Sequence, residues 1–319
     1  MVRWKPGSRS PNIEDRRGEG PSSGGGSGGL NLPINLGGGK GCLGLGGGTV
    51  GLIAVIAVML LGGGNIGDIL GSGGGGSGGF PIGPDITLPG LPSAQGDPIP
   101  SGPESDADAD LVGYVSFVLD DVQTTWRDQF TDAGERYDDA TLVLFTGSVN
   151  SGCGAAQSAS GPFYCPLDSK VYLDLDFFRE LRDRFGAPGD FAQAYVIAHE
   201  LGHHVQNLLG INEQVRAQQQ RHPGDANELS VRQELQADCF AGVWAHSTYE
   251  RKILEKGDLE EGLAAAASVG DDRIQQESTG RVDPESFTHG TSEQRRRWFT
   301  RGYDSGGLDR CDTFATEEL

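Results

Sequence analysis

The sequence predicts an α+β domain, mostly helical with a small sheet, preceded by one transmembrane helix and a Gly-rich tether. Three observations carry this. Several stretches after residue 105 repeat apolar residues at spacings of three and four, the helical period. Only two short runs there, Thr141–Phe145 and Lys170–Asp174, are rich in strand formers. Glycine, 52 of 319 residues, lies largely before residue 90, so the foldable part begins near residue 106. The divisions that follow are 1–42, a disordered Gly/Arg-rich segment; 43–61, a transmembrane helix; 62–105, a flexible Gly/Pro-rich linker; 106–312, the folded domain; and 313–319, a tail.

Residues 43–61 carry no charge and have about the 20-residue length that a spanning helix needs. Arg3, Lys5, Arg9, Arg16, Arg17 and Lys40 precede them, and no Lys or Arg follows until Arg127. By the positive-inside rule the N-terminus is cytoplasmic and the C-terminal domain is periplasmic or extracellular, anchored in the cytoplasmic membrane by a single pass. A cleaved signal peptide is the competing reading, but no clear small-residue cleavage site follows.

The domain opens with a helix from Asp110 whose face carries Leu111, Val115, Val118, Val122 and Trp126. Lys170–Asp174 reads as an edge strand that could hold a substrate backbone by strand addition, with an ordinary hairpin as the alternative. A helix ending at Gly186 follows it. The next, from Asp190 to Leu209, places Ala194, Ile197, Ala198, Leu201, Val205, Leu208 and Leu209 on one apolar face, and Gly210 ends it. Further helical stretches are Asn212–Arg221, one through Glu234 to about Tyr249, Asp258–Val269, Asp271–Gln276 and Ser292–Tyr303.

The richest chemistry lies in His199-Glu-Leu-Gly-His203, an H-E-x-x-H pattern inside the Asp190 helix. Residues four apart share a helix face, so His199 and His203 can aim at one ion and Glu200 can act on a water bound to it. Catalytic zinc needs three protein ligands and one open position. The third ligand indicated is Glu234, and Asp238, one turn later, suits a carboxylate that accepts the free N–H of a ligand histidine. Ala237, Ala241 and Gly242 make that helix narrow, as tight packing requires; a solvated Glu/Asp face is the alternative.

Three blocks, His199–Gln206, Glu234–Cys239 with Ala241–Trp244, and His289–Arg295 with Trp298-Phe299, resemble the bacterial neutral zinc metallopeptidase family in order and separation. The likeness takes in the N-terminus and membrane segment as well. The Glu-x-x-x-Asp block is also similar to the third-ligand helix of gluzincin-type membrane peptidases. The resemblance implies a zincin-like domain, Zn2+ as cofactor, a peptide or protein substrate, and an endopeptidase reaction with Glu200 as general base. It also favours His289 as a second catalytic residue that donates to the oxyanion, against a packing histidine. His204 is more structural in setting, and His222 and His246 have no partners at ligand spacing. The alternative to an enzyme is a zinc-stabilised, membrane-anchored binding or scaffold domain, which would have no use for Glu200 and would close the metal with four ligands.

A net charge of −20 argues against nucleic acid as partner. Cys42 abuts the membrane segment and is expected to be unpaired. Cys153, Cys165, Cys239 and Cys311 form an even set in an exported domain. Three connectivities are possible; Cys153–Cys165 closing a local loop and Cys239–Cys311 tying the C-terminus to the Glu234 helix is the expected one.

Overall fold

Two helices set the frame because a third is threaded between them. The structure, a computed structural model, describes residues 2–4, 7–19 and 106–319. The helices are α1 (Asp106–Asp132), α2 (Asp176–Asp183), α3 (Asp190–Leu208), α4 (Ile211–Arg221), α5 (Ala226–Glu250), α6 (Asp258–Ser268), α7 (Asp271–Thr279) and α8 (Ser292–Ser305). The strands are β1 (Ile13–Asp15), β2 (Thr141–Phe145), β3 (Ser148–Ser151), β4 (Gly154–Gln157), β5 (Phe163–Cys165) and β6 (Lys170–Asp174). The fold is thus mostly helical with small sheets. The proposed membrane helix at 43–61, the linker at 62–105 and Cys42 lie outside the described residues. Among the described residues no helix is long and apolar enough to cross a membrane.

Helix α3 packs against α1, α5 and α6, with Phe191, Ala194, Leu201 and Val205 fully buried. Helix α1 starts a turn earlier than the sequence suggests and buries Val115, Val118, Val122 and Trp126 completely. Its Asp121 accepts from Trp244 Nε1 at 2.8 Å and from Arg251 Nη2 at 2.9 Å, tying α1 to α5 and its end.

The main sheet has the order β1-β2-β6-β5. Strands β2 and β6 are parallel, from Thr141 against Lys170 to Phe145 against Asp174, and both are buried from their second residue onward. Such runs of Leu, Val and Phe are what a strand covered on both faces requires. The expectation that Lys170–Asp174 forms a substrate-binding edge is corrected here. Strand β6 is interior, hydrogen-bonded to β2 on one side and antiparallel β5 on the other. Its flanking strand β5 is only three residues long, too short to give a periodic signal. Strands β3 and β4 form a separate two-stranded ribbon. Its connecting turn is tied to β5 by the disulfide Cys153–Cys165, and Cys239–Cys311 ties α5 to the C-terminal segment. Both pairings are the expected ones.

The N-terminal segment differs from the disorder expected of it. Val2 is buried and its N–H donates to Asp190 Oδ2 at 2.7 Å. Trp4 meets Tyr114 edge-on at 5.5 Å. Ser10 Oγ donates to Asp120 Oδ1 at 2.6 Å, and Ile13–Asp15 pairs in parallel with Leu142–Leu144. Composition missed this because a three-residue strand borrows its stability from the edge it joins, with Val2, Trp4 and Ile13 as its few apolar anchors.

The closest approach in the domain is between α5 and α8. A Cβ on Gly302 would stand 1.9 Å from the Cys239 carbonyl oxygen, and one on Gly242 would stand 2.0 Å from that of Phe299. Neither contact can relax by turning a side chain, because backbone faces backbone. Gly302→Ala is therefore expected to cost at least the roughly 1–3 kcal/mol of an overpacked core, or about 2–4 °C of melting temperature per kcal/mol in a domain of this size. Gly224→Ala, with nothing within 4 Å, serves as the control. Equal melting curves for the two variants would show that the helices are not held at this distance.

Candidate metal centre

One turn of α3 and one turn of α5 face each other across the centre. His199 and His203 lie four apart on α3, and Glu234 comes from α5. His199 Nε2 is 3.2 Å from Glu234 Oε2, and His203 Nε2 is 3.4 Å from Glu234 Oε1. One ligand atom from each residue lies within 4.8 Å of the other two. A tetrahedral ion with bonds of roughly 2.0–2.1 Å would separate neighbouring ligand atoms by about 3.3 Å. The donor set, two imidazoles and a carboxylate, and its spacing therefore fit zinc. The two helices come this close because Gly202 faces the Ala237 backbone, where a Cβ would meet the carbonyl oxygen at 3.0 Å.

Each imidazole is turned by a partner on its far nitrogen. His199 Nδ1 donates to Asp238 Oδ1 at 2.9 Å, leaving Nε2 for the centre. His203 Nδ1 lies 2.9 Å from Gln206 Oε1. Gln206 in turn donates to the Gln233 carbonyl at 2.7 Å and to Gln236 Oε1 at 3.0 Å, so its amide is locked. Gln236 extends this chain to the Cys311 carbonyl beside the disulfide.

Asp238 is fully buried. Besides His199 it accepts from Arg295 Nε at 2.8 Å, from Arg295 Nη2 at 3.0 Å and from the Tyr195 hydroxyl at 2.5 Å. Burial alone would raise its pKa, but the Arg295 guanidinium brings it below the usual value. Burial likewise opposes ionisation of Glu234, yet His203 and His199 hold it well below the ordinary carboxylate range. Burial disfavours charge on His199, whereas Asp238 raises it, to about 9. The centre is built to keep its carboxylates ionised.

Glu200 is placed differently. It is buried and lines the same cavity as His199 and Glu234, but is not one of the three clustered donors. Burial pushes its pKa up, against the pull of His199 and His203. His289 lines that cavity from the loop before α8. Its Nδ1 is 3.2 Å from Asp271 Oδ1, leaving Nε2 available to the cavity. The other Asp271 oxygen accepts the N–H groups of Thr288, His289 and Gly290, at 2.7, 2.6 and 3.1 Å, which fixes the loop.

His204 faces away, between the Tyr164 hydroxyl at 2.9 Å and the Asp138 carbonyl at 2.7 Å. His246 Nδ1 donates to the Tyr303 carbonyl at 2.6 Å. Sequence reasoning did not single out Tyr195, Gln206, Asp271 or the clamp role of Arg295. Tyr195 and Gln206 are legible in principle, at one turn before His199 and three residues after His203. Asp271 and Arg295 reach the centre only through tertiary contacts.

Residues 2–314 match the family described as putative neutral zinc metallopeptidase, and the chain belongs to that family. It is similar to the uncharacterized protein YpfJ of Escherichia coli (strain K12), with 47% identity over 319 residues, covering 98% of this chain and 99% of the relative. It is also similar to an uncharacterized protein of Mycobacterium tuberculosis (strain ATCC 25618 / H37Rv), with 51% identity over 189 residues, covering 56% of this chain and 63% of the relative. No solved structure matches the chain.

Zinc titration separates the two acidic residues of α5. Glu234→Ala removes a donor that meets both histidines and is expected to abolish tight binding. Asp238→Ala, which releases only the far side of His199, should weaken affinity by roughly 10–100-fold. A reversed ranking would make Asp238 the ligand.

Proposed function

We propose that the chain is a zinc-dependent endopeptidase that cleaves peptide bonds with Glu200 as general base. The observation that supports it most directly is the pairing of a clustered His199, His203 and Glu234 with a buried carboxylate beside them that is not part of the cluster. A structural zinc site has four closed ligands and no need of such a group, which weighs against a scaffold role.

His199, His203 and Glu234 would hold the ion, which when bound supplies a water of lowered pKa and polarises the substrate carbonyl. Glu200 accepts the proton of that water and passes it to the leaving amine. Burial beside the cluster positions it for this, with its pKa raised by the same burial. His289 donates from Nε2 to the carbonyl oxygen as negative charge develops there. Asp271 orients His289 through its Nδ1. Asp238 and Arg295 hold His199 so that its Nε2 stays aimed. The two disulfides support a location outside the reducing cytoplasm.

Glu200→Gln keeps the size and the neighbours while removing the base. Cleavage of a peptide library by the full chain should fall by about 10²–10⁴-fold, with zinc still bound at close to one per chain. Unchanged cleavage would remove this mechanism, and loss of zinc would make Glu200 a ligand.

A further inference from the structure

The cavity beside the centre extends beyond the histidines into a chamber of about 90 Å³. Its walls beyond the catalytic groups are Phe177 on α2, Phe185 after it, Val196 on α3, Val269 at the end of α6, Ile274 on α7, and Pro162. The one guanidinium in the lining belongs to Arg295, and four of its five donors are engaged. Nε and Nη2 bond Asp238, Nη2 also meets the Tyr195 hydroxyl at 3.1 Å, and Nη1 donates to the Val269 carbonyl at 3.1 Å. The remaining charged groups, His199, Glu200, Glu234 and His289, are those already placed at the reacting centre. Nothing in the chamber is left to neutralise a charged side chain, and burying one unpaired is costly.

We infer that this chamber is the specificity pocket of the peptidase, and that it selects a large apolar side chain, of the Leu, Ile, Met or Phe class, on a residue flanking the scissile bond. This rests on the proposed peptidase reading. Apolar contact and not ion pairing would set the preference, so discrimination among these four should be modest and rejection of Asp, Glu, Lys and Arg strong.

Cleavage-site profiling of the zinc-loaded full chain on a peptide library tests it. One position next to the cut should favour apolar over charged residues by about 100-fold or more. Phe177→Lys, at a half-buried wall position, should shift that position toward Asp and Glu. A profile without apolar enrichment, or one unmoved by Phe177→Lys, overturns the pocket and leaves the peptidase standing. Binding keeps the two readings apart. Zinc-loaded Glu200→Gln should be stabilised against heat by leucine hydroxamate more than by aspartate hydroxamate. If that holds while the wild type cleaves nothing, the pocket stands and the peptidase reading falls. Equal stabilisation by both probes overturns the pocket.

A different observation carries a second inference. The order of β1 in the sheet ties residues 2–19 into the same folded unit as residues 106–319. Beyond the ladder with β2, Lys170 Nζ bonds Glu14 Oε2 at 2.6 Å and Val2 reaches Asp190. Of the arginines that suggested a cytoplasmic N-terminus, Arg9 and Arg17 pair with Asp15 at 2.5 and 2.7 Å, Arg16 pairs with Glu14 at 2.6 Å, and Arg3 reaches Glu255 at 3.1 Å. A single membrane crossing at 43–61 would put residues 19 and 106 on opposite faces and pull β1 out of its sheet. The geometry points to an N-terminal segment that shares one compartment with the catalytic domain, in place of the opposed orientation read from flanking charge.

Glu19→Cys and Glu317→Cys, each in a full chain carrying Cys42→Ser, report the two ends through exposed positions. Treated with a membrane-impermeant maleimide in intact spheroplasts, both should label or both should be protected, and both should label after lysis. Labelling of one end alone overturns the inference.

Discussion

The Asp238 carboxylate is the interaction on which the rest of the centre depends. It receives hydrogen bonds from residues of two other helices, His199 and Tyr195 on α3 and Arg295 on α8, while itself standing on α5. A buried carboxylate left without these partners would carry a desolvation cost of several kcal/mol. Satisfied by them, it fixes three helices at one point, and the same bond that joins them turns His199 toward Glu234. Orientation of a metal ligand and cohesion of the domain are therefore one constraint here. That coupling explains why α8, which contributes nothing to the donor cluster, packs more closely on α5 than any side chain would allow. Gly242 and Gly302 let the backbones touch, and with the helices that close Arg295 Nε reaches its carboxylate at 2.8 Å.

Legibility in the sequence followed the range of the interaction. His199, Glu200 and His203 share one helix, so their relation is fixed by the 3.6-residue period alone. Glu234 and Asp238 are likewise related by one turn, and the small residues at Ala237, Ala241 and Gly242 signalled a tight neighbour without saying which. Parity marked the four cysteines as a disulfide set but left three connectivities open, and the expected pairing is the one formed. What failed was non-local. Lys170–Asp174 was correctly a strand, but whether a strand is an edge is decided by its neighbours, and β5 and β1 are too short to advertise themselves. The N-terminal segment read as disordered because its few apolar anchors matter only against partners such as Tyr114 and β2. Arg295 was visible as part of a block of likeness, yet its role depends on a carboxylate 57 positions away.

Two glutamates at one site are set apart by geometry. Glu234 stands within 3.4 Å of both imidazoles and is held ionised, whereas Glu200, on the same helix as the histidines, meets less of their charge and is raised by burial. Environments that separate like groups in this way are how one cavity hosts both a ligand and a base. The donor geometry points the same way. Asp238 is already engaged by Arg295, whereas His199, His203 and Glu234 turn one ligand atom each toward a common point. A divalent cation suits that arrangement. Such a site favours zinc over calcium or magnesium by its imidazoles, and it leaves Glu200 outside the donor cluster that sets metal affinity.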